Sequence, residues 1–241
     1  MTDRQKQILE ELIREYVKGA EPVSSNFLVE KCGFDCSPAT IRAEMLNLEK
    51  EGYLIQPHTS AGRIPTDKAY RYFVDHLLNE RQGVLPEKDR EAIDRTISSF
   101  PHNPHAISSG LAKTMSGITE DFVISGIPNT NEFYRFGFSN IFELPEFEEA
   151  EDMFGLGSIF DEFERYFSSF FDNLPSDDLL VYIGRENPNK ETKKETVMIA
   201  RYPLPMGYEG VSAVIGPMRM AYDRNMALLK YVAKKMNEGS W

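Results

Sequence analysis

The stretch from Ser37 to Thr66, SPATIRAEMLNLEKEGYLIQPHTSAGRIPT, constrains this chain more than any other. Ser37 offers a side-chain oxygen to orphan backbone N–H groups, and Pro38 fits a first helical position because its missing N–H would have had no partner there. A helix is therefore predicted from this point. Ile41, Met45 and Leu48 recur at i, i+4, i+7 and anchor it to a core, leaving Ala39, Thr40, Arg42, Ala43, Asn47 and Lys50 outward or flanking. That face is small, polar and cationic. Small residues permit close approach, Thr40 and Asn47 can donate and accept at base edges, and Arg42 can reach a phosphate or a guanine. An ordinary surface helix carries the same patterning, so helix periodicity alone does not separate the two.

The residues after this helix narrow the choice. Gly52 reads as a helix C-cap, Tyr53–Ile55 as a short strand, Ala61–Gly62 as a turn, and Arg63–Pro65 as the return. This is the pattern of a β-wing whose tip carries His58, Thr59, Ser60 and Arg63, hydroxyl and cationic donors suited to phosphates or a minor groove. A plain helical hairpin and turn is the competing reading.

Upstream, Asp3 to Lys18 places Ile8, Leu12, Ile13 and Tyr16 on one stripe, and Gly19 closes that helix. Glu21 to Ser25 opens a second helix to about Lys31, with Leu28 and Val29 available to meet Ile41 and Met45. Three helices and then a wing is the winged helix-turn-helix order. Downstream, Thr66–Asp67 caps a further helix whose stripe of Tyr70, Phe73, Val74 and Leu77 is expected to pack on this domain or on a second subunit.

Charge complicates a DNA-binding reading. The net charge is -11, and residues 1–80 hold ten Lys/Arg against thirteen Asp/Glu, whereas phosphate affinity depends on cations displacing counterions. Placement has to compensate. Arg63, Lys68 and Arg71, with His58, face only Asp67 between positions 56 and 73. A narrow cationic strip, modest non-specific affinity and greater reliance on base contacts are expected.

The remainder reads as a second domain, making the chain α+β. A boundary falls between Glu80 and Pro104, with residues 81–104 as a linker and connecting helix (about Glu87 to Ser99) and 105–241 as the second domain. A further helix is expected over about Ala106 to Thr114. Strands are expected over Asp121–Gly126, Leu179–Gly184, Thr196–Tyr202 and Val211–Gly216, and a final helix over Tyr222–Asn237 burying Met226, Leu229, Ala233 and Met236. Phe160, Phe163, Phe167, Phe170 and Phe171 recur at helical spacing among acids, a heavy apolar face for core or partner. Glu146 to Asp152 reads as a solvated helix face. His102 and His105, in a proline-broken run, read as solvent-exposed.

Several classes are disfavoured. Cys32 and Cys36 have no further Cys and no nearby His, too few ligands for zinc, so no metal and no cofactor is expected. No P-loop, GxSxG, HExxH or paired-Cys motif appears, which argues against an enzyme. No apolar run approaches a membrane span, and the first residues lack a signal peptide's hydrophobic stretch. A soluble cytoplasmic protein is the expectation.

The blocks SPATIRAEM, LEKEGYL, QPHTSAGRIPTDKAYRYFVD and VIGPMRMAYDRNMALLKYVA resemble HrcA, the bacterial heat-inducible transcription repressor family. The resemblance implies repression of heat-shock chaperone operons through double-stranded DNA, with a homodimer on an inverted repeat of the CIRCE type and the chaperonin GroEL assisting the repressor to its active form. It implies a GAF-like second domain, into which Gly137–Phe147 looks like the re-entering segment. With the helix and wing readings, it marks Ser25, Ser37, Ala39, Thr40, Arg42, Asn47, His58, Thr59, Ser60, Arg63 and Arg71 as DNA-contact candidates.

Three departures matter. Ser24-Ser25-Asn26 stands where the family commonly has Gly-Ser-Lys, and Ala43 stands where it usually has Asn. Typical members are also longer, and the missing part, between Pro128 and Phe133, would include an inserted dimerisation domain. Some other surface must then pair subunits, with Tyr70 and Phe73 or Phe160, Phe163 and Phe167 as candidates. The alternative function is a winged-helix regulator that senses a small molecule through the GAF-like domain.

Overall fold

A computed structural model describes residues 1–79, 84–130, 132–142, 144, 179–188 and 193–239. The chain forms two compact units, residues 1–81 and, for the most part, 82–241. Phe160, Phe163 and Phe167 lie outside the described residues, as do the acidic run 146–152 and part of the segment 137–147 that resembles a re-entering one.

In the first unit, α1 (Asp3–Gly19) starts with a reciprocal capping box between Thr2 and Gln5 and ends one residue later than its glycine implied, at Ala20 with φ 54°. Next come α2 (Ser25–Cys32), capped by the Ser24 hydroxyl, and α3 (Pro38–Lys50), capped by Ser37. A two-stranded antiparallel ribbon, β1 (Leu54–Ile55) and β2 (Ile64–Pro65), comes after them, and α4 (Asp67–Asn79) closes the unit. Ile8, Leu9, Leu12, Ile13, Leu28, Ile41, Met45, Leu48 and Leu54 are buried together as the core of this unit. On the helices these are the positions that the spacing selects with Leu9 added, while Tyr16 and Val29 are half-buried.

Tyr70 and Phe73 do not form an open pairing surface. They are 2% and 3% exposed, and the Arg14 guanidinium lies 5.1 Å above the Phe73 ring. Side chains this buried leave little apolar area for a second subunit, against the expectation that they pair subunits.

The second unit is built on a five-stranded antiparallel sheet, so α+β describes the chain. The strands are β3 (Phe122–Ile127), β4 (Glu132–Phe136), β5 (Leu180–Ile183), β6 (Glu195–Pro203) and β7 (Glu209–Pro217), in the order β4-β3-β7-β6-β5. One face carries Phe122, Ile124, Val197, Ile199, Val211, Ala213 and Ile215, packed with Ile141 of a short helix, α7 (Phe138–Phe142). Against the other lie α6 (Pro104–Thr119) and α8 (Tyr222–Asn237). There Ser125, Tyr202 and Ser212, one from each of three adjacent strands, close a buried ring of hydroxyl hydrogen bonds at 3.0, 2.7 and 3.0 Å. A buried hydroxyl without a partner costs about 1–3 kcal/mol, and here each satisfies the next.

Three expectations change. The connecting helix expected over about Glu87 to Ser99 is there as α5 (Glu87–Ser98), but it packs on α6 and α8 as part of the second unit. The helix expected over 106–114 begins at Pro104 and runs to Thr119, because Asn103 accepts from the Ala106 N–H as an N-cap. His105 therefore sits in its first turn, half-buried and paired with Glu132, rather than in an exposed loop. Where the residues suggest a bare connection at 128–133, β4 begins at Glu132 and pairs with β3 in a hairpin, Ile127 opposite Glu132.

The α5–α8 contact is polar. Arg224 donates to Asp89 at 2.9 Å, and the Tyr231 hydroxyl donates to Asp94 Oδ1 at 2.9 Å. Burial, reinforced by the hydrogen bond to Asp94, pushes the Tyr231 phenol from 10.0 up to about 12. A raised folded pKa stabilises the fold fully below pH 10 and loses that contribution as pH rises towards 12. Tyr231→Phe should cost about 1 kcal/mol at neutral pH and remove this part of the alkaline stability loss. Paired melts of wild type and variant across that range check both.

Candidate nucleic-acid interface

The outward face of α3 is the starting point. Ser37 accepts from the Thr40 N–H at 3.2 Å, and the two hydroxyls lie 2.9 Å apart. Ser37 and Thr40 thus spend hydrogen-bonding capacity on the cap itself. With Ile41, Met45 and Leu48 buried, Ala39, Arg42, Ala43, Leu46, Asn47 and Lys50 are exposed. Arg42 makes no hydrogen bond or ion pair with any of the described residues.

The ribbon is held against the helices by three long-range contacts. Val23 and Arg63 exchange both backbone hydrogen bonds, at 2.9 and 2.8 Å, adding a third short extended segment beside the ribbon. Gly62 passes so close that a Cβ there would lie 2.3 Å from the Val23 carbonyl oxygen. The Arg63 Nε donates to Glu49 Oε2 of α3 at 2.9 Å. The loop between the strands is fastened from inside: Gln56 Nε2 donates to the carbonyls of Thr59 and Ala61, both at 3.0 Å.

These contacts shape a concavity of about 460 Å³ lined by Ser24, Ser25, Arg42, Met45, Gln56, Thr59, Ser60, Ala61, Gly62 and Arg63. It brings together five of the sequence candidates from three separate segments: Ser25, Arg42, Thr59, Ser60 and Arg63. His58, Thr59 and Ser60 are exposed. Ser37, Ala39, Thr40, Asn47, His58 and Arg71 lie outside the concavity's lining.

The cationic strip expected from residues 56–73 takes a different form. Arg63, at the loop end of β2, does not project outward but is 9% exposed, bridged to Val23 and paired with Glu49. Lys68 donates to the Glu51 carbonyl at 2.7 Å, with its ammonium 4.2 Å from the Tyr53 ring centre. Arg71 pairs with Asp75 one turn along α4 at 3.2 Å. Ser25 is likewise 6% exposed, its neighbour Ser24 serving as the α2 cap. Two acids excluded by a window of local sequence, Glu49 and Asp75, return in three dimensions and engage Arg63 and Arg71.

Arg63→Ala is accordingly expected to destabilise the first unit by about 1.5–3 kcal/mol through loss of a charge-assisted hydrogen bond. The dependence of DNA affinity on salt should stay as steep as in wild type, because a cation already paired with Glu49 releases few counterions. Melting curves and a salt titration read the two effects separately.

Sequence reasoning does not single out Gln56, Glu49 or Leu46. Gln56 sits beside a turn, where a local signal existed. Nothing in sequence joins Glu49 to Arg63. Elsewhere, burial pushes the Cys32 thiol up, helped by Glu11 and Glu15, so it stays protonated at neutral pH. Among the described residues no group of three or more His, Cys, Asp or Glu could hold a metal ion, and no described helix is long and apolar enough to cross a membrane.

Comparison with known proteins supplies a relationship. A family model described as the HrcA protein C-terminal domain matches residues 68–226. The heat-inducible transcription repressor HrcA of Alkaliphilus metalliredigens (strain QYMF) is 28% identical over 335 aligned positions, covering 99% of this chain and 97% of the relative. That of Natranaerobius thermophilus is 29% identical, covering 97% and 95%, and that of Geobacter sulfurreducens is 40% identical over 119 residues, 49% of this chain and 34% of the relative. The longer alignments exceed the 241 residues of this chain, the excess being positions where the relative has residues and this chain has none. A crystal structure of a hypothetical protein superposes with a TM-score of 0.83 over 99% of this chain and 98% of that one, at 22% identity, a likeness of fold. Since the family model spans well over half of its residues, and relatives match it from end to end, the chain belongs to the HrcA family.

Proposed function

We propose that this chain is a heat-inducible transcription repressor that binds duplex DNA through residues 1–79 acting as a winged helix-turn-helix. In this reading α3 enters the major groove, Arg42 and Asn47 address base edges, and Ala39 and Ala43 allow close approach. His58, Thr59 and Ser60 are assigned to the sugar-phosphate backbone, with the hydroxyls of Ser37 and Thr40 at the helix entry. The observation that carries it is the outward face of α3. Arg42 is exposed there, and it also lines the concavity bounded by the ribbon and the start of α2.

Repression would act on heat-shock chaperone operons, through an inverted repeat of the CIRCE type occupied by a dimer, since two-fold operators match two-fold proteins. The second unit is assigned as the GAF-like domain, and chaperonin GroEL as the partner that brings the repressor to its active state. These assignments rest on the family likeness. Added chaperonin that changes neither the active fraction nor its recovery after heating would remove that partner.

Few cations are free at the interface, so sequence-specific contacts must supply much of the affinity and the salt dependence should be shallow. Titrating the purified chain onto a CIRCE-type duplex and a scrambled duplex at several salt concentrations, with mass measured in parallel, tests the proposal. Equal affinity for both duplexes would overturn it, and a complex with one copy per inverted repeat would remove the dimer.

A further inference from the structure

We infer that Leu46 reads the 5-methyl group of thymine in the major groove, at a position one or two base pairs from the base addressed by Arg42. This rests on the DNA-binding reading of α3 and adds a specificity-determining residue to it.

Leu46 is a large apolar side chain left 42% exposed on α3, while the core-facing side of the same helix is fully supplied by Ile41, Met45 and Leu48 at 0%, 3% and 0%. Packing of this unit therefore does not require it. Ala39, Ala43 and Leu46, spaced i, i+4, i+7, form an apolar row flanked by Arg42 and Asn47, and all five are exposed. The row is methyl-sized for about one turn and then projects one isobutyl group.

A major-groove floor is polar at almost every base edge. Guanine presents N7 and O6, adenine N7 and the N6 amine, cytosine its N4 amine; thymine alone adds a methyl group. A leucine laid over any of the polar edges strips water without replacing its hydrogen bonds. Over a thymine methyl it buries apolar surface on both sides. Arg42 and Leu46 are one turn apart, about 6 Å along the helix axis, against about 3.4 Å per base step, which sets the one- to two-step separation.

The test compares the full chain on a CIRCE-type inverted-repeat duplex, the same duplex with deoxyuridine replacing thymine, and a scrambled duplex, for wild type and Leu46→Ala. Deoxyuridine removes only the methyl groups. Wild type should lose affinity by about fourfold per half-site on the deoxyuridine duplex, the worth of one buried methyl group. Leu46→Ala should bind the thymine duplex that much more weakly and show a thymine-to-deoxyuridine ratio near one. Because the side chain lies outside the core, the variant should melt with wild type, which makes its binding interpretable. A variant that keeps the wild-type ratio overturns the assignment, as does a wild type indifferent to the methyl groups while still preferring the inverted repeat. Loss of preference for the inverted repeat over the scrambled duplex would instead overturn the underlying DNA-binding reading, and this inference with it.

Discussion

Arg42→Ala should weaken binding to a CIRCE-type duplex by about 5- to 150-fold, the ~1–3 kcal/mol carried by a good side-chain contact to a base edge, and leave binding to a scrambled duplex close to wild type. The surroundings of the residue are the reason. Arg42 is exposed on α3, lines the concavity beside the ribbon, and makes no hydrogen bond or ion pair with any of the described residues. The nearby Arg63, Lys68 and Arg71 are each engaged, with Glu49, with the Glu51 carbonyl and the Tyr53 ring, and with Asp75. Of these four cations, Arg42 is the one able to bond a guanine without first breaking an internal contact. Competition titrations with both duplexes read the result. Equal losses on the two would mark Arg42 as a phosphate contact, and the salt slope would then flatten by about one contact's worth.

Gly62→Ala should destabilise the first unit by several kcal/mol, on the order of 2–4, the range for forced overpacking and lost backbone pairing. The added Cβ would stand 2.3 Å from the Val23 carbonyl oxygen, 2.4 Å from its carbonyl carbon and 2.7 Å from the Pro22 carbonyl oxygen. All three are backbone atoms, so no rotamer change relieves the contact. Relief requires the Val23–Arg63 bridge to open, and with it the placement of Arg63 against Glu49. Affinity for specific and scrambled duplexes should therefore fall together, unlike the selective loss at Arg42. Melting of the variant, followed by binding below its transition, distinguishes unfolding from misplacement of the ribbon. A variant as stable as wild type would show that the chain at 22–23 shifts without cost.

Arg42 and Gly62 mark the limit of what local sequence conveys. Helix starts and buried stripes are legible because their causes lie within a turn of each other. Ser37–Pro38 announces α3, and the spacing of Ile41, Met45 and Leu48 announces its buried side. The same cap-plus-proline signal at Asn103–Pro104 is masked as loop punctuation, since two prolines and two histidines crowd that run, and the helix there begins earlier than expected. Four of the sheet strands are legible as β-branched and aliphatic runs between turn residues. The β4 strand is not: its five residues are partly exposed and alternate poorly, and only pairing with β3 makes them a strand. Family likeness carries more than patterning can about the second unit.

Sequence by itself determined where most of the helices begin, which of their faces turn inward, and that α3 presents a small, polar and cationic side, because capping and amphipathic burial depend on neighbours a few residues apart. Only the tertiary structure decided which cations remain available. Glu49 and Arg63 are fourteen positions apart, Gly62 and Val23 farther still, and the Phe73 ring lies under the guanidinium of Arg14. Pairings of this kind depend on how the chain returns upon itself, and an acid outside a local window neutralises a cation as effectively as one beside it.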